Sequence, residues 1–194
     1  MLLLYSIAIG LLIGRLAGGR LRELERVRFA WWQLALAGLI VQLVLFAGPV
    51  AARIGSLGPA IYVTSTLVVM AALLRNLGQP GFVVIALGAA LNLVAVLANG
   101  GAMPSAPEAW LALNGVGELP LSDFSNSVLI GPDTRFAWLG DVFVWPRPLP
   151  LANVFSIGDV LIAAGAVVFL VLAMRGRTGR QPDERIGPTL AAGR

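Results

Sequence analysis

The chain has 194 residues, 58% of them hydrophobic and 12% charged, with a formal net charge of +4. A soluble domain carries about a quarter charged residues, so this balance points to a lipid bilayer as solvent and to one polytopic unit without a separate soluble module. Cysteine and histidine are both absent, which excludes disulfides, thiolate chemistry, imidazole-ligated metals and histidine acid–base catalysis. No cofactor and no metal is expected, and the groups left for chemistry are carboxylates, hydroxyls, amides and arginine.

A span needs roughly 17–25 apolar residues. The first candidate runs over residues 1–18, with Arg15 near its end; it lacks the basic n-region of a signal peptide and reads as a retained helix. Gly19 to Arg28 follows, alternating Arg20, Arg22, Arg26 and Arg28 with Glu23 and Glu25, as suits a short surface helix against headgroups. The second span covers 29–46 and opens on Trp31-Trp32, an aromatic pair typical of interface depth. Spans over 59–74 and 81–98 come next, separated by Arg75 to Pro80. An outer loop over 99–150, rich in proline and glycine, precedes the last span, 151–174. The sequence therefore predicts an all-α membrane protein with about five transmembrane helices, one domain over 1–175, and a polar tail over 176–194. Every basic residue is an arginine, and most fall on one side of a five-span arrangement. Arginine marks the inner side, so the reading is a bacterial cytoplasmic membrane with the amino terminus outside and the tail inside.

Three clusters carry possible chemistry. Asn99-Gly100-Gly101-Ala102-Met103-Pro104 ends the fourth span, where it can serve as a helix C-cap or as a binding site. Asn92, seven residues earlier, shares that helical face; a buried amide in a span usually joins helices. Trp138-Leu139-Gly140-Asp141 forms the second cluster and Asn153-Val154-Phe155-Ser156-Ile157-Gly158-Asp159 the third. Asp159 is expected about two turns into the fifth span, where a carboxylate costs at least a few kcal/mol and needs a partner. Ser156 can cap that helix or bond Asp159, and Arg135 or Arg147 could descend to pair with it. The loop is studded with aromatics, with a short helix expected over Pro107 to Leu113, and it reads as an interfacial cap.

The combination of Asn-Gly-Gly-x-Met-Pro, Leu-Gly-Asp and Phe-Ser-Ile-Gly-Asp-x-Leu-Ile-x-x-Gly resembles an uncharacterised family of small bacterial multi-pass membrane proteins, over nearly the whole chain. That resemblance implies no activity. Residues Phe155 to Gly165 are also similar to the last motif of the lipoprotein signal peptidases, Phe-Asn-x-Ala-Asp-x-x-Ile-x-x-Gly. There Asp159 matches one of two catalytic aspartates, and Ser156 stands where that family has Asn. Asp141 resembles the Asp of its Val-Val-Asp-Phe segment. Its other catalytic Asp lies in Gly-Asn-x-x-Asp-Arg, and Asp133-Thr134-Arg135 comes nearest, without the Gly-Asn and with a residue before the arginine.

The leading expectation is a non-catalytic accessory or scaffold subunit, packed against a larger membrane assembly through its spans and outer loop. Its interface would use Asn92, Asn99, Gly100, Gly101, Pro104, Arg135, Asn153 and Ser156. Its partners would be the bilayer and other membrane subunits. The alternative is an aspartate-pair hydrolase using Asp159 with Asp141 or Asp133. A transport or channel component stands third, since no inverted repeat is visible. Nothing resembles a phosphate-binding loop, a dinucleotide fingerprint or a nucleic-acid surface, so no nucleic-acid partner is expected.

Overall fold

The computed structural model describes residues 2–47, 50, 53–114 and 127–178. Helix α1 spans Leu2–Leu16 and is followed by a 3-10 turn, Leu21–Arg26. Helices α2 (Trp32–Leu45), α3 (Gly58–Arg75) and α4 (Phe82–Ala98) come next. The segment after α4 contributes β1 (Met103–Ser105), α5 (Pro107–Asn114), β2 (Ser127–Leu129), β3 (Phe143–Trp145) and β4 (Asn153–Phe155). Helix α6, Ile157–Met174, closes the fold.

The long helices pack as a row in which α6 lies between α1 and α4, α4 also meets α3, and α3 meets α2. Chain order therefore differs from spatial order, and α1 and α6, the first and last of the described helices, lie side by side. Small residues set the closest crossings. A Cβ on Gly88 of α4 would strike the Gly158 carbonyl of α6, and one on Gly158 would strike the Asn92 side chain. With hydrogens in their place the two backbones meet directly, the close approach that small residues permit between membrane helices. At the other end of the α4–α6 contact the rings of Phe29, Phe82 and Phe169 pack with centroids 5.5–5.6 Å apart, one pair stacked, one tilted and one edge-on.

The apolar side chains face outward. The Gly55–Arg75 segment, 21 residues, and α6, 18 residues, are long and apolar enough to cross a membrane, and only 17% and 28% of their apolar windows are buried. The core helix of a soluble protein would be mostly buried. Helices α1, α2 and α4 are apolar but shorter. At 1.5 Å per residue, the 15 residues of α1 rise about 22 Å, short of the roughly 30 Å hydrocarbon core. Of the five spans expected, two are long and apolar enough to cross a membrane among the described residues.

The expectation of an all-α fold is corrected by two small sheets. β1 pairs β2 in parallel, Met103 opposite Ser127, and β3 pairs β4 antiparallel, Phe143 opposite Phe155 and Trp145 opposite Asn153. An isolated bridge joins Ser105 to Asp141. The last helix also starts later than residue 151. Leu151 has a positive φ of 56°, residues 153–155 join a strand, and Ser156 caps the helix. Asp159 consequently lies in the first turn of α6, not two turns in. The stretch expected as a surface helix is the 3-10 turn Leu21–Arg26, and the short helix expected from Pro107 is α5. Gly48-Pro49, Glu118, Asp123, Phe124 and the tail from 179 lie outside the described residues.

Candidate functional site: a polar centre at the start of α6

The polar centre forms where the start of α6 meets the last turns of α4 and the Asp141 segment. Ser156 precedes α6 in an extended conformation, and its Oγ accepts a hydrogen bond from the Asp159 N–H at 3.0 Å. The Asp159 carboxylate returns the bond, with Oδ2 accepting from the Ser156 N–H at 3.0 Å. This reciprocal capping box satisfies two N–H groups that a helix start leaves open. Asn92 of α4 completes a closed circuit. Its Nδ2 donates to Asp159 Oδ1 at 2.9 Å, and its Oδ1 accepts from Ser156 Oγ at 2.8 Å. Ser156 is fully buried, at 0% exposure. Because Gly158 has no side chain, the Asn92 amide can reach this turn.

Asp141 arrives on the second arm. Its N–H donates to the Pro104 carbonyl at 2.7 Å, and its carbonyl accepts from Ala106 N–H at 3.0 Å. A Cβ on Gly140 would strike the Pro104 carbonyl, so Leu-Gly-Asp lies flat against Met-Pro-Ser only because the middle residue is glycine. Ser105, at 0% exposure, donates to Asp141 Oδ2 across a long 3.4 Å, a weak bond at that distance. Burial, and then the charge of Asp159, push the Asp141 carboxyl up to about 7, while the Ser105 bond pulls the other way. The two carboxylates, from different elements, thus feel one another. Tyr62 of α3 interacts electrostatically with both and packs on the buried group of Ala95, Val96, Met103 and Leu139 beneath the centre.

The other sequence candidates fall around this centre. Asn99 caps α4; its Nδ2 donates to the Ala95 and Arg135 carbonyls at 2.8 Å each, and its Oδ1 accepts from Arg135 N–H at 3.0 Å. Gly100 and Gly101 have φ of 70° and 90°, and Gly101 N–H bonds the Val96 carbonyl at 2.9 Å, closing the helix end. Pro104 is fully buried in β1. Asn153 sits in β4 opposite Trp145, beside Tyr5. Arg135 serves through its backbone, and neither it nor Arg147 forms an ion pair with Asp159 among the described residues. Asp133 is exposed and is not brought to the pair. Ser105 and Tyr62 had not been singled out; the only sequence signal is adjacency to Met-Pro for Ser105 and a hydroxyl within a span for Tyr62.

The match to known proteins covers this region. Residues 26–171 fit the model of a family of unknown function, DUF5317. The chain belongs to the DUF5317 family. Every member of the Asn92–Ser156–Asp159 circuit, and Ser105 and Asp141 with it, falls inside the matched DUF5317 segment. An uncharacterised protein of Thermotoga maritima is 35% identical over 114 residues, which cover 56% of this chain and 62% of that protein. The chain thus matches less than two thirds of that relative's length. No solved structure matches it.

Proposed function

We propose that the chain is a multi-pass protein of a bacterial cytoplasmic membrane, with five spans and its amino terminus outside. At its outer end Asp141 and Asp159 carry out acid–base chemistry of the kind used by aspartate-pair hydrolases. The observation that carries this reading is the convergence of two carboxylates in unlike surroundings. Asp159 meets an N–H donor at each oxygen, while burial and its neighbour favour the protonated form of Asp141. Such division of labour between two carboxyls is what assigns an acid and a base. In the hydrolysis of an acyl bond, Asp159 takes a proton from water as the water oxygen adds to the carbonyl. Asp141 gives its proton to the carbonyl oxygen, and collapse of the adduct returns protons to the leaving group and to Asp141. Arginines clustered at the opposite end of the row support the orientation. The outward-facing apolar side chains of the long helices support a lipid surround.

The test compares protein amino-terminal peptides from cells producing wild type, Asp141→Asn or Asp159→Asn at equal membrane levels. Cleavage sites present with wild type and lost with both variants support the hydrolase. Identical peptide sets in all three remove it.

A second reading, the accessory subunit, is favoured by a separate feature. A mostly apolar groove of about 430 Å³ between α2 and α3 is lined by Ala37, Gly38, Val41, Ala60, Thr64 and Val68 among others. Small residues of this kind suit a visiting helix. Mild-detergent purification would recover a stoichiometric companion that Ala37→Leu displaces; recovery of the protein alone would count against this reading.

A further inference from the structure

At the end opposite the acid pair, the turn Leu21–Arg26 is fastened in place. Arg20 N–H donates to the Met174 carbonyl at 2.7 Å, tying the turn to the end of α6. Downstream, Gln79 Nε2 donates to the Arg28 carbonyl at 3.3 Å. Asn76 exchanges two bonds with the backbone of Ala30, at 2.8 and 2.9 Å. Asn76 and Gln79 are 6% and 5% exposed, so buried amides of the α3–α4 connection hold the backbone of residues 28–30. Between these anchors opens a hollow of about 500 Å³, lined by Arg22, Glu25, Arg26 and Arg28. Glu23 engages Arg26 at 2.8 Å and Arg22 at 3.7 Å. Arg28 has no ion pair among the described residues. Three guanidinium groups, those of Arg22, Arg26 and Arg28, against the carboxylates of Glu23 and Glu25 leave the hollow positive by one charge, and guanidinium is the side chain whose fork matches phosphate oxygens.

We infer that this hollow binds the phosphate of an anionic lipid headgroup. Its surroundings select a lipid over a free phosphate. Leu21 is 60% exposed, and Trp31 and Trp32, directly beyond Arg28, are 50% and 54% exposed. An apolar rim with paired indoles is what the level between headgroups and acyl chains calls for, and basic pockets at the inner ends of spans take such headgroups. Glu25 sets a limit on the charge the hollow can take, favouring a single phosphodiester.

The inference rests on the membrane reading above, and its failure is separable from a failure of that reading. Retention in membranes after alkaline carbonate extraction tests the membrane reading alone. For the hollow, native mass spectrometry of the full chain in micelles counts bound phosphatidylglycerol against phosphatidylcholine. The same measurement is repeated with excess inorganic phosphate, and on Arg22→Gln/Arg28→Gln beside a control of equal charge, Arg75→Gln/Arg175→Gln. The expected result is preferential phosphatidylglycerol binding that weakens on the order of tenfold or more in the first variant, persists in the control and resists phosphate. Equal weakening in both variants would mean a diffuse basic belt and would overturn the site. So would displacement by inorganic phosphate, or equal binding of the two lipids.

Discussion

Asp141 and Asp159 meet the problem of a half-buried carboxyl in different ways: Asp159 has a donor at each oxygen, and Asp141 has one long bond from Ser105. For Asp141, with a folded value of about 7 against an ordinary 3.8, the folded state holds the proton more tightly than the unfolded chain. The resulting stabilisation is complete below the ordinary value and is lost as pH rises through about 7. Thermal unfolding in micelles is expected to show the melting temperature falling between about pH 4 and about pH 7 and levelling off above, with Asp141→Asn flattening the profile. Ser156→Ala removes both the cap and the donor to Asn92, and a loss of about 1–2 kcal/mol is expected from the same unfolding measurement. Asp159 and Ser156 were legible as a pair because a serine three residues before an aspartate, at the head of an apolar run, spells a capping box. Nothing in the spacing of Asp133 and Asp141 said which would join them. That choice is made by Gly140 lying against Pro104, a contact between residues 36 positions apart.

Among the elements, the crossing of α4 and α6 is the most demanding. Gly88 and Gly158 face each other there, and Gly88→Ala is expected to cost about 1–3 kcal/mol through overpacking. Gly78→Ala, where a Cβ meets nothing within 4 Å, should leave the melting temperature unchanged. If both substitutions were silent, the helices would not cross at these glycines. Hydropathy located the long helices because each is an apolar run between polar breaks. It misjudged the start of α6 because Leu151 to Phe155 is apolar enough to extend a helix. Pairing with β3 takes that stretch instead, and strand pairing is invisible to hydropathy when each strand is three residues long.

The molecule as a whole is polarised, with Arg15, Arg20, Arg22, Arg26, Arg28, Arg75, Arg175 and Arg177 at one end of the helix row and the acid pair at the other. A chain without cysteine lends itself to a direct test of sidedness. Thr134→Cys should react with an impermeant maleimide on intact cells, and Arg177→Cys only after the membrane is opened. Labelling of both from one side would mean that α6, the long helix between the two positions, does not cross the membrane. Composition and arginine placement made this polarity readable from the sequence. The spatial order α1, α6, α4, α3, α2 was not readable, because small-residue faces occur on several helices and pair only in three dimensions.

The acid–base reading of the polar centre depends on Asp141 keeping its proton near neutral pH, through burial first and the charge of Asp159 second. Infrared difference spectroscopy across a pH titration reads this directly, through the carbonyl stretch of a protonated carboxyl. Wild type should show a band that titrates near 7, is absent in Asp141→Asn, and shifts to a lower midpoint in Asp159→Asn. A band that does not titrate near neutrality, or whose midpoint ignores Asp159→Asn, would contradict the pairing of the two carboxyls.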